Sequence, residues 1–301
     1  MRKITDLPVL KAHIVPEDVE EIRLYDYVQQ VFTTVPSRKG VKKAIAREEI
    51  LVDGKKTSTG HWVKAGQQIE LLESSANPPK EYHLKLDIVF EDEFFAVINK
   101  PAGIPVSGNQ FRTIQNAIMG NVSLSKEADA LRWPKPVHRL DGPTSGLLII
   151  AKTAKALVKL GQQFEQKLIQ KKYAAIVIGE SPKNGVIDTD VEGLKSLSEY
   201  KTLKTVKSLR NKHLSLVELS PKTGRTHQLR IHLSSIGIPI LGDKIYGDEG
   251  EILKGKGLFL CALGLELNHP ITEEPLSIKI DIPYKFNALL EREVKRWLKY
   301  N

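Results

Sequence analysis

Two short segments of this sequence hold residue types from which an active site could be assembled. The first is Val137-His138-Arg139-Leu140-Asp141-Gly142-Pro143-Thr144-Ser145-Gly146-Leu147, where an acidic residue runs straight into a Gly-Pro turn and then small polar residues. Such a loop displays a carboxylate on a rigid support at a sheet edge, where reactive groups are commonly presented. An ionised carboxylate there stabilises developing positive charge or takes up a proton. The pattern leaves a second reading open, in which Asp141 is an Asx-turn residue whose side chain bonds the backbone just after it. The second segment is Lys222-Thr223-Gly224-Arg225-Thr226-His227-Gln228-Leu229-Arg230-Ile231-His232-Leu233. At helical spacing Leu229, Leu233 and Ile236 share one face while His227, Arg230 and Ser234 occupy another, and Gly237 is a fitting stop. Arg230 therefore leaves the apolar face, toward an anion or toward solvent.

Other arrangements carry less. Asp188-Thr189-Asp190-Val191-Glu192-Gly193, with Glu199 beyond, approaches a calcium loop, but Glu192 and Lys195 stand where that loop takes Asp or Asn and an apolar residue. His227 and His232 have the wrong offset to share a zinc on one helical face. Thr144-Ser145-Gly146 lacks the strand–Gly-x-Ser-x-Gly–helix setting of a nucleophilic serine. Neither a metal nor a cofactor is expected.

The elements that must position these residues fall into two unequal pieces. Ser, Asn and paired prolines within residues 74–84 read as a linker. Before it, residues 1–16 are an N-terminal segment and residues 17–73 a small unit. That unit has helical spacing from Val19 to Val28 and again after Ser37, a strand at Ile50-Leu51-Val52 closed by Asp53-Gly54, and further strands at Trp62-Val63 and Gln68-Ile69-Glu70-Leu71. Residues 85–301 form the large unit. Leu86–Phe90 and Phe94–Lys100 alternate as paired strands about an acidic turn, and Leu147–Lys152 is a buried strand. Thr153 caps a helix whose stripe is Ala154, Leu157, Val158, Gly161, Phe164 and Leu168. Lys172–Gly179, Lys201–Ser208 and Leu214–Ser220 follow as strands, and a last helix carries Leu289, Leu290, Val294 and Trp297. Adjacent strands with few crossover helices predict an α+β fold with a mixed, mainly antiparallel sheet.

Composition narrows the partner. Over 301 residues, 45 Lys and Arg against 36 Asp and Glu leave a net charge of +9, which favours a polyanion. The excess is concentrated between Arg38 and Lys64, where eight basic residues face three acidic ones. No apolar run reaches the roughly 18 residues of a membrane span. The first residues hold no stretch resembling a signal peptide, and the single cysteine, Cys261, excludes internal disulfides. A cytoplasmic protein, with no membrane partner and monomeric by default, is expected.

The large unit resembles the RluA family of RNA pseudouridine synthases. The resemblance rests on Asn99-Lys100-Pro101-Ala102-Gly103-Ile104-Pro105-Val106, the His138–Leu147 loop, Lys171-Lys172-Tyr173-Ala174-Ala175, Arg225–His232, and Ile238-Pro239-Ile240-Leu241-Gly242-Asp243-Lys244-Ile245-Tyr246-Gly247. It implies isomerisation of uridine within RNA, ribosomal or transfer, with no cofactor. It also implies Asp141 as the catalytic carboxylate, Arg230 as its ion-pair partner, and Tyr173 as the aromatic that stacks on the target base. Arg139 is implied to hold the flipped-out arrangement, with Arg225, His227 and His138 as further RNA contacts, although His138 reads equally well as a satisfied structural histidine. After Asp141 many relatives carry a basic-acidic pair where this chain has Gly142-Pro143. The small unit resembles the alpha-L RNA-binding domain of a ribosomal protein, through Ser37-Arg38, Lys42-Lys43-Ala44-Ile45, Ile50–Lys55 and Val63–Ile69. That likeness implies phosphate contacts by Arg38, Lys42, Lys43 and Arg47, although Glu49, beside Glu48, stands where a glycine is usual. The competing readings are a non-catalytic RNA-binding or ribosome-assembly factor and a hydrolase of N-glycosidic bonds.

Overall fold

The structure, a computed structural model, describes residues 7–32, 34–35, 37–73, 79–247 and 255–301. Part of the expected linker, residues 74–78, lies outside them. Near the N-terminus, β1 (Val9–Ile14), β2 (Ile50–Val52), β3 (Lys55–Lys56) and β4 (Gln68–Leu72) make a sheet ordered β1-β4-β2-β3. Helices α1 (Leu24–Val31) and α2 (Arg38–Ala46) pack on it over an apolar cluster that includes Leu24, Val28, Val41, Ile45, Ile50 and Ile69. In α2 the Ser37 Oγ accepts the Gly40 N–H at 3.1 Å, satisfying one of the free amides of the first turn. Val41, Ala44 and Ile45 then fall on the core side, which turns Arg38, Lys42, Lys43 and Arg47 to solvent.

Three expectations change here. The first helix begins at Leu24 rather than Val19, because Arg23 is extended and bridges Trp62, and that single bridge also replaces the strand expected at Trp62-Val63. The segment before residue 17 contains β1, which pairs with β4. Its side chains are nearly all exposed, so it has no apolar alternation to reveal it. Glu48 adopts φ 60° just past α2, the conformation a glycine would take at no steric cost.

The large sheet holds the remaining strands: β5 (Asp87–Glu91), β6 (Phe95–Lys100), β7 (Ala130–Pro136), β8 (Ser145–Thr153), β9 (Gln170–Ile178), β10 (Asn184–Ile187), β11 (Ser198–Ser208), β12 (Lys212–Pro221), β13 (Leu260–Asn268) and β14 (Pro275–Lys279). Its main path is β10-β11-β12-β9-β13-β8-β6-β5, with β14 on β13 and β7 on β8. Among the described residues every pairing is antiparallel except β13 with β8. The expected mixed, mainly antiparallel α+β architecture is what the chain adopts.

At the parallel joint Ala262 lies beside Gly146, whose φ is 110° and whose missing Cβ would overlap the Ala262 backbone. Helix α3 (Ile114–Ala117) flanks β6, and α4 (Ala154–Glu165) follows β8 with the Thr153 Oγ accepting from the Ala156 N–H at 3.2 Å. Leu168 lies beyond the end of α4 and is exposed, whereas Leu160, outside the expected stripe, is fully buried. Helix α5 (Gln228–Ser235) carries Leu229 and Leu233 into the core, but Ile236 follows its end and is exposed. Helix α6 (Tyr284–Tyr300) packs Phe286, Leu289 and Leu290 against the sheet.

Candidate active site

The Asp141 loop, between β7 and β8, is fixed from beneath by a lysine. Lys100 ends β6 directly opposite Gly146, and its ammonium donates to the carbonyls of Pro101, Gly142 and Thr144 at 2.9, 3.1 and 2.7 Å. The side chain is fully buried. Burial pulls its pKa down to about 8 against the opposing pull of Asp141. The Gly103 N–H donates to the Gly142 carbonyl from the other side at 2.8 Å. Inside the loop it is the Asp141 main-chain carbonyl that accepts the Thr144 N–H at 3.0 Å. The carboxylate is therefore not consumed by an Asx turn.

A consequence is open to measurement. Above about pH 8 the amine has one proton fewer than it has carbonyls to bond. Activity is expected to fall there in the wild type, with that basic limb missing in Lys100→Met, and a wild-type profile flat to pH 9.5 would refute it. The sign for stability is opposite. From about 8 up to 10.5 the unfolded chain holds a proton that the folded one has released, so this group adds stability as pH rises.

Arg230 reaches the carboxylate from α5. Its Nη1 stands 3.4 Å from Asp141 Oδ2, while Nε and Nη2 hold both oxygens of Asp243 at 2.7 Å each. Burial works against the guanidinium, but Asp243 and then Asp141 outweigh it and hold its pKa above the usual value. Asp243 is itself pulled low: burial raises it, yet Arg230 and the Ile245 and Tyr246 N–H groups prevail. Asp243 thus takes the two short bonds and leaves Asp141 the longer one. Its importance was not legible as spacing; it appeared only inside a motif of the family likeness. His227 approaches from the same turn, with Nε2 3.7 Å from Asp141 Oδ1 and Nδ1 3.0 Å from the Tyr246 hydroxyl.

Asp141 lies between two clefts. One, of about 460 Å3, is lined by Arg139, Asp141, Phe164, Lys171, Tyr173, Thr223, Gly224, Arg225 and Arg230 among others, a size typical of ligand sites (~300–1,000 Å3). Tyr173 and Lys171 are two apart on β9 and so face it together. Burial, with the Asp141 charge behind it, raises the Tyr173 phenol, so it stays protonated. Lys171, which sequence reasoning named only as part of a motif, donates to the Thr223 carbonyl at 3.2 Å, and burial lowers its pKa. Gln228 accepts from the Thr223 hydroxyl at 2.7 Å and the Arg225 N–H at 3.0 Å, which shapes that wall. The second cleft, of about 970 Å3, shares Arg139, Leu140, Asp141, His227 and Arg230 and runs between Ala102–Gly108 and Gly242–Ile245.

Arg139 and Arg225 are exposed at this rim, where RNA contacts were expected. His138 is placed differently. Its Nε2 accepts the Ile149 N–H at 3.1 Å and its ring packs on Phe164 with centroids 4.5 Å apart. Burial draws its pKa down to about 3, so the ring braces the loop against β8 as a neutral imidazole.

On the small sheet, Arg38, Lys42, Lys43 and Arg47 project from one side of α2. Arg38 pairs with Asp26 at 2.6 Å, and the two glutamates have cations of their own: Lys56 to Glu48 at 2.6 Å and Arg47 to Glu49 at 3.7 Å. Lys135 of β7 lies near this face. Its pKa is lowered by partial burial and by the charges of Arg47 and Lys43. Among the described residues no cluster of His, Cys, Asp and Glu could hold a metal ion, and no helix is long and apolar enough to cross a membrane.

Comparison with known proteins adds the chemistry. The RNA pseudouridylate synthase family matches residues 94–235, which span the Asp141 loop, Tyr173 and Arg230. An RNA pseudouridine synthase of Bacillus subtilis is 33% identical over 264 residues, covering 82% of this chain and 86% of that protein. Ribosomal large subunit pseudouridine synthase C of Rickettsia typhi is 30% identical, over 89% and 96%. Among solved structures, human RNA pseudouridylate synthase domain containing 4 superposes with a TM-score of 0.55 at 26% identity, covering 68% of this chain and 92% of that one.

Proposed function

Since the chain belongs to the RluA-type RNA pseudouridine synthases, enzymes that convert uridine in RNA to pseudouridine, we propose that Asp141 is its catalytic carboxylate and that its substrate is ribosomal RNA. One observation carries the assignment: Asp141 stands between two clefts, not bonded into its own loop, with Arg230 and His227 facing its two oxygens. The reaction breaks the bond from base nitrogen 1 to the ribose, rotates the base, and joins carbon 5 in its place. Carbon 5 gives up its hydrogen and nitrogen 1 gains one, so the product is mass-neutral. Positive character on the sugar as the bond breaks is stabilised by an ionised carboxylate, and the Arg230 guanidinium stands 3.4 Å from Asp141 Oδ2. Tyr173, protonated and half-buried, offers a ring face to a base extruded from its stack, an extrusion that costs about a few kcal/mol. Arg139 and Arg225 at the rim suit the phosphates on either side.

Residues 17–73 serve in this account as a separate RNA-binding unit. Lys42 and Lys43 support that role through their exposure, and Lys135, within the field of Lys43 and Arg47, continues the positive face onto β7. Phosphate contacts of this kind position the protein without reading sequence. Tritium release from carbon-5-labelled ribosomal and transfer RNA tests both halves. Ribosomal RNA is expected to react much faster, and Lys42→Glu with Lys43→Glu to weaken binding and flatten the salt slope by roughly one per lost contact. Equal rates on transfer RNA would overturn the substrate assignment, and an unchanged slope would overturn the role of α2.

A further inference from the structure

Followed around its contacts, Asp141 proves to be one member of a closed circuit. Its Oδ2 meets Arg230; Arg230 grips Asp243; Asp243 Oδ1 accepts the Tyr246 N–H at 3.1 Å; the Tyr246 hydroxyl meets His227 Nδ1 at 3.0 Å; and His227 Nε2 returns to Asp141 Oδ1 at 3.7 Å. The Tyr246 ring also lies edge-on to His227 at 5.6 Å and 5.1 Å from the Arg230 guanidinium. We propose that His227 is a positioning residue for the Asp141 carboxylate, held to that task by Tyr246 and Asp243, and is not an RNA contact. This rests on the reading of Asp141 as the catalytic carboxylate.

Three features point the same way. The first is geometric: Arg230 holds one carboxylate oxygen and His227 the other, from different directions, so the carboxylate plane cannot rotate about its own bond without losing one of them. The second is the tautomer. A phenol that donates to Nδ1 leaves the proton on Nε2, aimed at Asp141 Oδ1; the opposite arrangement would set a lone pair against a carboxylate oxygen. A hydrogen bond at one ring nitrogen that fixes what the other offers is a common way to orient a reactive group. At 3.7 Å the contact is long, and contacts of this kind tighten when substrate closes the site. The third is the backbone. His227 has φ 56° at the start of α5, a conformation unusual for a residue with a side chain and one that clusters at functional sites. From that turn the half-buried ring comes within 3.7 Å of Asp141, whereas Arg225, two residues earlier, is exposed.

The circuit also explains why Asp243 takes the shorter bonds to Arg230. The two carboxylates and one guanidinium of the circuit sum to a charge of −1. Asp243 anchors the arginine and the Tyr246 turn together, leaving the uncompensated charge on the side that faces the clefts.

The test separates positioning from RNA contact. Asparagine tolerates positive φ but its amide ends near the place of Nδ1, whereas a glutamine amide reaches the place of Nε2. Under single-turnover conditions at saturating enzyme, His227→Asn and Tyr246→Phe are expected to slow tritium release roughly 10–100-fold while RNA affinity stays within about twofold, and His227→Gln to recover much of the loss. An unchanged rate in His227→Asn, or a loss confined to RNA affinity, overturns the proposal. Equal rates for the Asn and Gln variants overturn it too, because a merely structural role would not distinguish them. If His227→Asn does not fold, Tyr246→Phe, which removes a single oxygen, decides alone. Asp141→Asn is run in parallel: full activity there would fail the carboxylate reading itself, while an inactive Asp141→Asn beside a fully active His227→Asn fails only the positioning.

Discussion

Asp141→Asn is expected to fold as the wild type does and to lose tritium release by roughly 1,000-fold or more, the scale seen when one member of a catalytic unit is removed. The fold should survive because the loop does not lean on the carboxylate. Lys100 binds three main-chain carbonyls around it, Thr144 closes the turn on the Asp141 main-chain oxygen, and Leu140 anchors it in the core. The amide would occupy the same space but carry no charge, so the Arg230–Asp243 pair would face the clefts electrically balanced. Loss of rate with unchanged unfolding and unchanged RNA binding is the signature of a group that acts in the reaction. Equal loss of stability would instead make Asp141 a loop residue.

The largest effect on folding is expected at Gly146→Val. This glycine sits where the only parallel pairing of the large sheet among the described residues joins β8 to β13. Its φ of 110° is nearly closed to any residue with a Cβ, and the added carbon would overlap the Ala262 nitrogen and carbonyl oxygen. Backbone atoms cannot rotate away as a side chain could, so either the strands part or the loop shifts. Strain and overpacking together should cost roughly 3 kcal/mol or more, a large share of an ordinary domain's stability. A urea denaturation midpoint well below that of the wild type is the expected readout. Because Lys100 lies opposite Gly146 and supports the Asp141 loop, activity should fall with it even at temperatures where the variant remains folded.

Much of the scaffold could be read from local signals. Ser37 and Thr153 cap helices as their types suggest, the Phe95–Lys100 strand pairs with its neighbour across the acidic turn, and Gly237 follows α5 with φ 76°. Strand β1 escaped because it offers no buried side to alternate with, and Leu160 because α4 is covered on more than one flank. In the site, Asp141 and Arg230 could be named from a family likeness, but spacing alone left each between a structural and a chemical reading. What supports the chemical reading is non-local: Lys100, Asp141 and Arg230 are brought together by sheet register and by a helix about ninety positions downstream, a relation periodicity does not encode. His138 and His227 make the same point in opposite directions. Both fall in motifs that the family likeness puts beside RNA, and His138 could equally be read as structural; it packs on Phe164, while His227 stands near the carboxylate from a left-handed turn that composition gives no hint of.

The central claim is that the Asp141 carboxylate isomerises uridine within RNA. It is tested most directly by digesting carbon-5-tritiated RNA to nucleosides after reaction and measuring pseudouridine, tritium and free uracil together. The account predicts one pseudouridine for each tritium released by the wild type, no free uracil, and neither product from Asp141→Asn. Free uracil in proportion to the tritium, or pseudouridine formed by Asp141→Asn at the wild-type rate, would contradict it.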